Sequence, residues 1–423
     1  MDIETDREVT LAVVGAGSRG DTYARLAQAT GRCRIVAIAE PDTGRRQRFA
    51  ERHGLPEHAV FTDWTELADA GRGADAVVIA TQDRLHLEPS VVFLGQGYHV
   101  LLEKPMAPNE AEARQIAVAA RDSGKVFGVC HVLRFTPYTR TLVDLVRGGR
   151  IGQLVSVQHL EPVGWWHQAH AFVRGNWRRE DESGPMLLTK SCHDIDWLMH
   201  VVGEPVARIS SFGGLAHFTP EHRPAGAADR CLDCSVEPGC PYSAKRLYLG
   251  CLGDPRSERW PLGPVTHDAT EAGVLTALRE GPYGRCVYDC DNDVVDHQIV
   301  NLEFASGVTA GFTMTAFAAT DGHRHTLLFG THGSLEGNGV SLRFVDFRDG
   351  HEEVIDTSTG SGGTAAGGHG GGDYGLIDAF LRAVAADDPT LIGTTAEDSL
   401  ASHLVVWAAE RARHTGTVQR LDA

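Results

Sequence analysis

Apolar residues follow two rhythms along this chain, and the change of rhythm divides it. Between residue 9 and about residue 130, short unbroken apolar runs recur at 9–14, 34–39, 76–80, 99–103 and 125–130. Such runs are too short for helices and rich in β-branched residues, as strands buried on both faces require. Helical stretches such as 21–29 and 110–121 lie between them. Strand and helix in alternation predict a doubly wound parallel sheet. Beyond Arg134 the pattern becomes apolar–polar alternation, at 154–159, 208–212, 296–304, 308–318 and 325–330, after a helix at 138–147. Period-two alternation predicts an antiparallel sheet with one exposed or partner-covered face. A helix is predicted over 189–202, and a Gly-rich segment at 360–375, read as a lid or a surface linker, precedes amphipathic stretches at 376–386 and 396–413. The expected fold class is α/β, with domains at 1–130 and 131–423 and a cysteine-rich insertion at about 228–292.

The first run breaks into Gly15-Ala16-Gly17-Ser18-Arg19-Gly20. Glycines there permit a tight turn and close backbone approach to a diphosphate seated on the N-terminus of the next helix. Gly15, Gly17, Ser18, Arg19 and Gly20 are therefore the expected diphosphate contacts. The second run ends on Glu40, twenty positions after Gly20. An acid there accepts both ribose hydroxyls and repels a 2′-phosphate, which favours NAD over NADP. Thr81 and His86 follow the third run, and Glu103 and Lys104 the fourth, at the carboxyl edge where such sheets bind ligands. A capped loop is the other reading of the Thr81–His86 stretch. Pro105 restricts Lys104 to extended backbone. In the helix over 189–202, Lys190, His193, Asp194 and Trp197 share a face by spacing. Histidine suits a general base because its pKa lies near neutrality, and a neighbouring ammonium lowers it further.

A formal charge of −17 argues against nucleic acid or an anionic membrane as partner. No apolar run approaches the roughly 20 residues needed to span a bilayer, and residues 1–8 lack the pattern of a secretory signal. The expected compartment is the cytoplasm. Its reducing character makes metal ligation or free thiols the readings for the nine cysteines. Cys231, Cys234 and Cys240 with the remote Cys286 match a closed, structural Zn²⁺ site, Cys290 being the alternative fourth ligand.

Taken in order, the glycine turn, Glu40, Glu103-Lys104-Pro105 and the His193 helix resemble the Gfo/Idh/MocA family of nicotinamide-dependent oxidoreductases. The resemblance implies an N-terminal Rossmann domain and a C-terminal α/β domain with a large, mainly antiparallel open sheet used in homodimer or homotetramer contacts. It also implies that Lys104 and His193 flank the substrate carbon facing the nicotinamide. Where many relatives carry an aspartate four positions before the histidine, this chain has Thr189, with Lys190 beside it. The segments at 131–137 and 167–178 resemble a branch of that family with a cysteine-rich insertion. Their aromatic and cationic side chains suit a carbohydrate, and Arg134, His170, Arg174 and Trp177, with His297, are the expected substrate contacts. The implied activity is NAD-dependent hydride transfer from a secondary hydroxyl of a sugar, glycoside or cyclitol. His193 would take the proton, Lys104 polarise the oxygen, and Lys190 hold a substrate hydroxyl. A redox glycosidase working through a 3-keto intermediate with cofactor recycling is the alternative enzyme. A non-catalytic NAD(H)-binding sensor or scaffold is the alternative from another class.

Overall fold

A computed structural model of the chain describes residues 7–319, 324–358 and 369–421. The unbroken apolar runs form a six-stranded parallel sheet: β1 (Val9–Val14), β2 (Cys33–Ala39), β3 (Val60–Phe61), β4 (Ala76–Ile79), β5 (His99–Leu102) and β6 (Phe127–Val129). Its order, β3-β2-β1-β4-β5-β6, reverses between β1 and β4. The crevice outside the carboxyl ends of those two strands is where open α/β sheets bind ligands. β3 has two residues and no apolar run of its own, so the sequence pattern does not register it.

The second sheet has nine strands. They are β7 (Leu154–Gly164), β8 (Val206–Gly214), β9 (His297–Phe304), β10 (Thr309–Ala318), β11 (His325–Gly330), β12 (Gly333–Gly337), β13 (Ser341–Asp346), β14 (Glu352–Asp356) and β15 (Gln419–Arg420). The order is β14-β13-β12-β11-β7-β10-β9-β8-β15, antiparallel except for the parallel pair β7 and β10. Alternation along the strands separates the two faces. The inner one carries Val300, Leu302 and Phe312, which pack with Ile195, Leu198, Val405 and Val406 from the helices Cys192–Val202 and Ala396–Thr415. The open face leaves Phe212, Ile299, Phe317 and Phe329 exposed, with Phe212 paired directly to Ile299. This is the face on which the expected homo-oligomer would close.

Two features differ from the sequence reading. The helix expected over 189–202 is two helices, Met186–Thr189 and Cys192–Val202, broken at Lys190 and Ser191. Lys190 therefore stands outside the helix that carries His193, although both side chains line one cleft. The helix Gly372–Ala386 also returns to the first domain, where Leu376, Ile377 and Phe380 join Tyr23, Ala24 and Ala27 in one core. In the insertion, short helices close around Cys231, Tyr248, Leu262, Val274 and Tyr283. Among the described residues no helix is long and apolar enough to cross a membrane.

Candidate active site

A cleft of about 1520 Å³ runs from the glycine turn to the His193 helix. Its floor follows from the glycines. Gly15 takes φ +94°, and a Cβ there would meet the Ala80 carbonyl oxygen at 2.6 Å. A Cβ on Gly20 would stand 1.9 Å from the Gly15 carbonyl oxygen, so this position holds the helix against the turn. Gly17 differs: a Cβ would meet nothing within 4 Å, and the residue caps the helix Ser18–Ala29 without a side-chain hydrogen bond. Bare backbone at a helix N-terminus facing the cleft fits a dinucleotide diphosphate. Gly17→Val is expected to weaken NAD binding about tenfold or more, measured by calorimetry, with the melting temperature of the ligand-free protein unchanged.

Gly15, Gly17, Ser18, Arg19, Glu40, Thr81, Glu103, Lys104, Lys190, His193, His170 and Trp177 all line this cleft. Glu40 is buried, and its two carboxylate oxygens accept from the backbone N–H groups of Ala16 (2.7 Å) and Asp42 (2.9 Å). Arg19 and Glu103 belong to one ion-pair cluster. Arg19 Nε donates to Glu103 Oε1 at 2.7 Å, and its Nη2 lies 2.6 Å from Asp373 Oδ1. Tyr23 Oη donates to the same Glu103 oxygen, and the backbone N–H of Lys104 donates to the other. Glu103 thus ties the β5 loop to the diphosphate helix and fixes where Lys104 starts.

Lys104 Nζ donates to the Thr189 carbonyl oxygen at 2.6 Å, so Thr189 contributes backbone to the site. His193 is nearly buried, and its Nδ1 has no hydrogen-bond partner among the described residues. Burial first, then the positive charge of Lys104, holds its imidazole well below the ordinary histidine range. The rings of His131 and His369 stand 6.0 and 5.9 Å from it. Trp177 Nε1 donates to Asp83 Oδ2 at 3.0 Å, and burial raises the Asp83 carboxyl above its usual value. His170 lines the cleft with Nδ1 2.8 Å from the Tyr248 hydroxyl. Burial lowers its pKa to about 3.

Other expected contacts lie elsewhere. His86 is fully buried, with Nδ1 2.9 Å from the Pro105 carbonyl oxygen, and bolts two loops together. Arg134 is bidentate on Asp196, at 2.7 and 2.6 Å, and also donates to the Gly393 carbonyl oxygen. Arg174 lines a separate small cavity with the cysteines. His297, half-exposed, pairs with Asp296 at the edge of β9, away from the cleft. Of the expected lid, residues 360–368 lie outside the described residues. His369 lines the cleft, while Tyr374 sits in the helix Gly372–Ala386.

The sequence reading named Lys190 and Asp194 but missed Glu161, His159 and Arg324, which join them in a charged layer at the cleft. Lys190 Nζ donates to Glu161 Oε1 at 2.7 Å, and Arg324 Nε stands 3.1 Å from Glu161 Oε2. Arg324 also pairs with Asp194, which His159 Nε2 contacts at 3.0 Å. A signal existed for two of these groups. Along β7, residues 157, 159, 161 and 163 share the inward face, and His159 and Glu161 interrupt its valines.

A parallel sheet with a glycine-lined diphosphate seat, and a neutral histidine and a lysine at one cleft, define a dinucleotide-dependent oxidoreductase. The chain belongs to the Gfo/Idh/MocA oxidoreductase family. The family's NAD-binding Rossmann fold matches residues 9–131, and its C-terminal alpha/beta domain matches residues 143–420. The chain is 27% identical over 370 residues to YteT of Bacillus subtilis, a proposed oxidoreductase, covering 82% of each protein. It is 30% identical over 212 residues to inositol 2-dehydrogenase of Leifsonia xyli, covering 48% of this chain and 57% of that one. It is 26% identical over 210 residues to D-glucoside 3-dehydrogenase of Escherichia coli, with the same coverage of each. In both cases the match spans little more than half of the relative. Among solved structures, levoglucosan dehydrogenase in complex with NADH and levoglucosan superposes with a TM-score of 0.73. It is 16% identical and is covered over its full length by 99% of this chain. An oxidoreductase of Agrobacterium radiobacter gives 0.71 at 13% identity, over 98% of each chain. These likenesses establish the fold.

Proposed function

We propose that the protein oxidises a secondary hydroxyl of a sugar, glycoside or cyclitol, with His193 as base. The observation that carries this reading is the buried, neutral imidazole with an unpartnered nitrogen, opening onto the same cleft as the glycine turn. Bound NAD supplies the hydride acceptor. His193 receives the hydroxyl proton, and Lys104 stabilises negative charge developing on that oxygen. Lys190, anchored on Glu161, reaches a second hydroxyl. The names of the inositol and glucoside dehydrogenases point to the same substrate class.

A second reading returns the hydride after an elimination step, so that a glycoside is cleaved without net oxidation. The partial match to 2,7-anhydro-N-acetylneuraminate hydratase of Escherichia coli, 25% identical over 213 residues, favours it. So do the histidine and tryptophan side chains at 167–177 along the cleft. One screen separates the readings, with glycosides and cyclitols assayed in parallel for NADH and for free aglycone. NADH rising in step with product supports the dehydrogenase, and aglycone release without NADH supports the glycosidase. Cofactor binding with neither product throughout the screen would leave the non-catalytic sensor.

A further inference from the structure

Cys231, Cys234, Cys240 and Cys286 line one small cavity of about 20 Å³ in the insertion, although 55 positions separate the first from the last. That is room for a single ion or water. All four are free thiols. Cys290 is not among the lining residues, and its thiol donates to the Cys286 carbonyl oxygen at 3.1 Å. A second observation concerns charge. Arg174 borders the same cavity and is 1% exposed. Its Nε donates to the Arg285 carbonyl oxygen at 2.7 Å. Its Nη2 donates to the Tyr242 carbonyl oxygen at 2.8 Å and faces Cys231 Sγ at 3.6 Å. Its Nη1 is buried with no partner, and among the described residues the guanidinium makes no ion pair with a carboxylate. Glu237, which also borders the cavity, accepts from the Ser243 hydroxyl rather than pairing with Arg174, and a buried cation without a paired counter-charge is costly. Neutral thiols supply none.

We propose that Cys231, Cys234, Cys240 and Cys286 bind one Zn²⁺ ion, and that the resulting tetrathiolate is the buried anion matched to Arg174. Four thiolates around a divalent ion carry a net charge of 2−, and release of the thiol protons accompanies binding. Guanidinium N–H groups donating to ligand sulfurs are the outer-shell contact that orients such a site. Among the described residues no three of these sulfurs lie within 4.8 Å of one another. Each sulfur swings on a single side-chain torsion with three staggered wells, and all four residues already border the cavity. The ion would be structural. It would fasten the insertion to the segment Gln168–Arg174, whose His170 lines the cleft.

The test uses the full chain purified without chelator from zinc-supplemented cells. Elemental analysis is expected to find about one zinc per chain. Cys234→Ser and Cys286→Ser should each lose it, while Cys251→Ser and Cys290→Ser retain it. Should the ligand variants fail to fold, wild-type protein loaded with Co²⁺ provides the second readout, the visible absorption of tetrahedral cobalt thiolate. Metal-free wild-type protein that fails to retain added zinc through gel filtration overturns the proposal. Zinc retained by folded Cys234→Ser, bound iron with the colour of an iron–sulfur cluster, or cobalt without thiolate bands overturns it equally. None of these measurements depends on the substrate.

Discussion

His193→Ala should lower turnover by about 10²–10⁴-fold, the usual contribution of a positioned acid–base group, while NAD affinity stays within twofold or so of wild type. The split follows from position. The histidine lines the cleft from the helix Cys192–Val202 of the second domain, not from the glycine turn. Removing it takes away the proton acceptor and leaves the diphosphate seat untouched. Its pH dependence has a definite sign. Burial and the Lys104 charge keep the imidazole neutral well below the ordinary histidine pKa. A base that works in its neutral form loses activity only when pH falls through that lowered value. The acid limb of kcat/KM should therefore lie below pH 6.5 or so, where an unperturbed histidine would put it. In Lys104→Met the opposing charge is gone, so the limb should move upward while kcat falls. Steady-state profiles of both variants decide the matter. A limb that moves down in Lys104→Met, or His193→Ala turning over at the wild-type rate, would remove His193 from the role of base.

The parts of this site legible in sequence are those set by local chemistry. The glycine turn shows because a positive φ and two close backbone approaches need glycine at fixed spacing within six residues. Lys104 shows because a strand end and a proline stand beside it. Arg134, Arg174 and His86 carry equally suggestive side chains, yet their partners lie 62, 111 and 19 positions away. No spacing rule distinguishes a guanidinium that will meet a substrate from one that will meet Asp196. The fold shows the same division. β1, β2, β4, β5 and β6 are buried on both faces and read as unbroken apolar runs. β12 alternates in burial, but two of its three inward positions are Gly333 and Gly337, and in the edge strand β14 no residue is fully buried, so neither leaves an apolar period to read. The break at Lys190 is invisible for another reason. Residues 186–202 have a helical pattern throughout, and the pull of Glu161 on Lys190 crosses between elements 29 positions apart.

Asp194→Ala should destabilise the second domain by about 3–5 kcal/mol, the cost of breaking a buried ion pair from one side. Asp194 is fully buried and bears the Arg324 guanidinium and the His159 ring. Without it, Arg324 keeps its contact with Glu161, which Lys190 also uses, and the charge balance around that carboxylate shifts toward the cations. The pH dependence tests whether charge is the cause. Burial alone would raise the Asp194 pKa, but the Arg324 charge and the His159 hydrogen bond outweigh it and hold the carboxyl far below the usual range. A carboxyl whose pKa is lower folded than unfolded contributes fully above its unfolded value, near 3.9, and progressively less as pH falls toward the folded value. Wild type and Asp194→Ala should therefore differ most in urea midpoint at neutral pH and converge below about pH 4. A gap of undiminished size in acid would assign the loss to the cavity left by the side chain. A loss under about 1 kcal/mol would mean that the Asp194 pairing contributes little to stability. Because Lys190 lines the cleft, the same variant should raise KM for substrate more than it lowers kcat, as Arg324 competes with the ammonium for Glu161 and shifts it from its place.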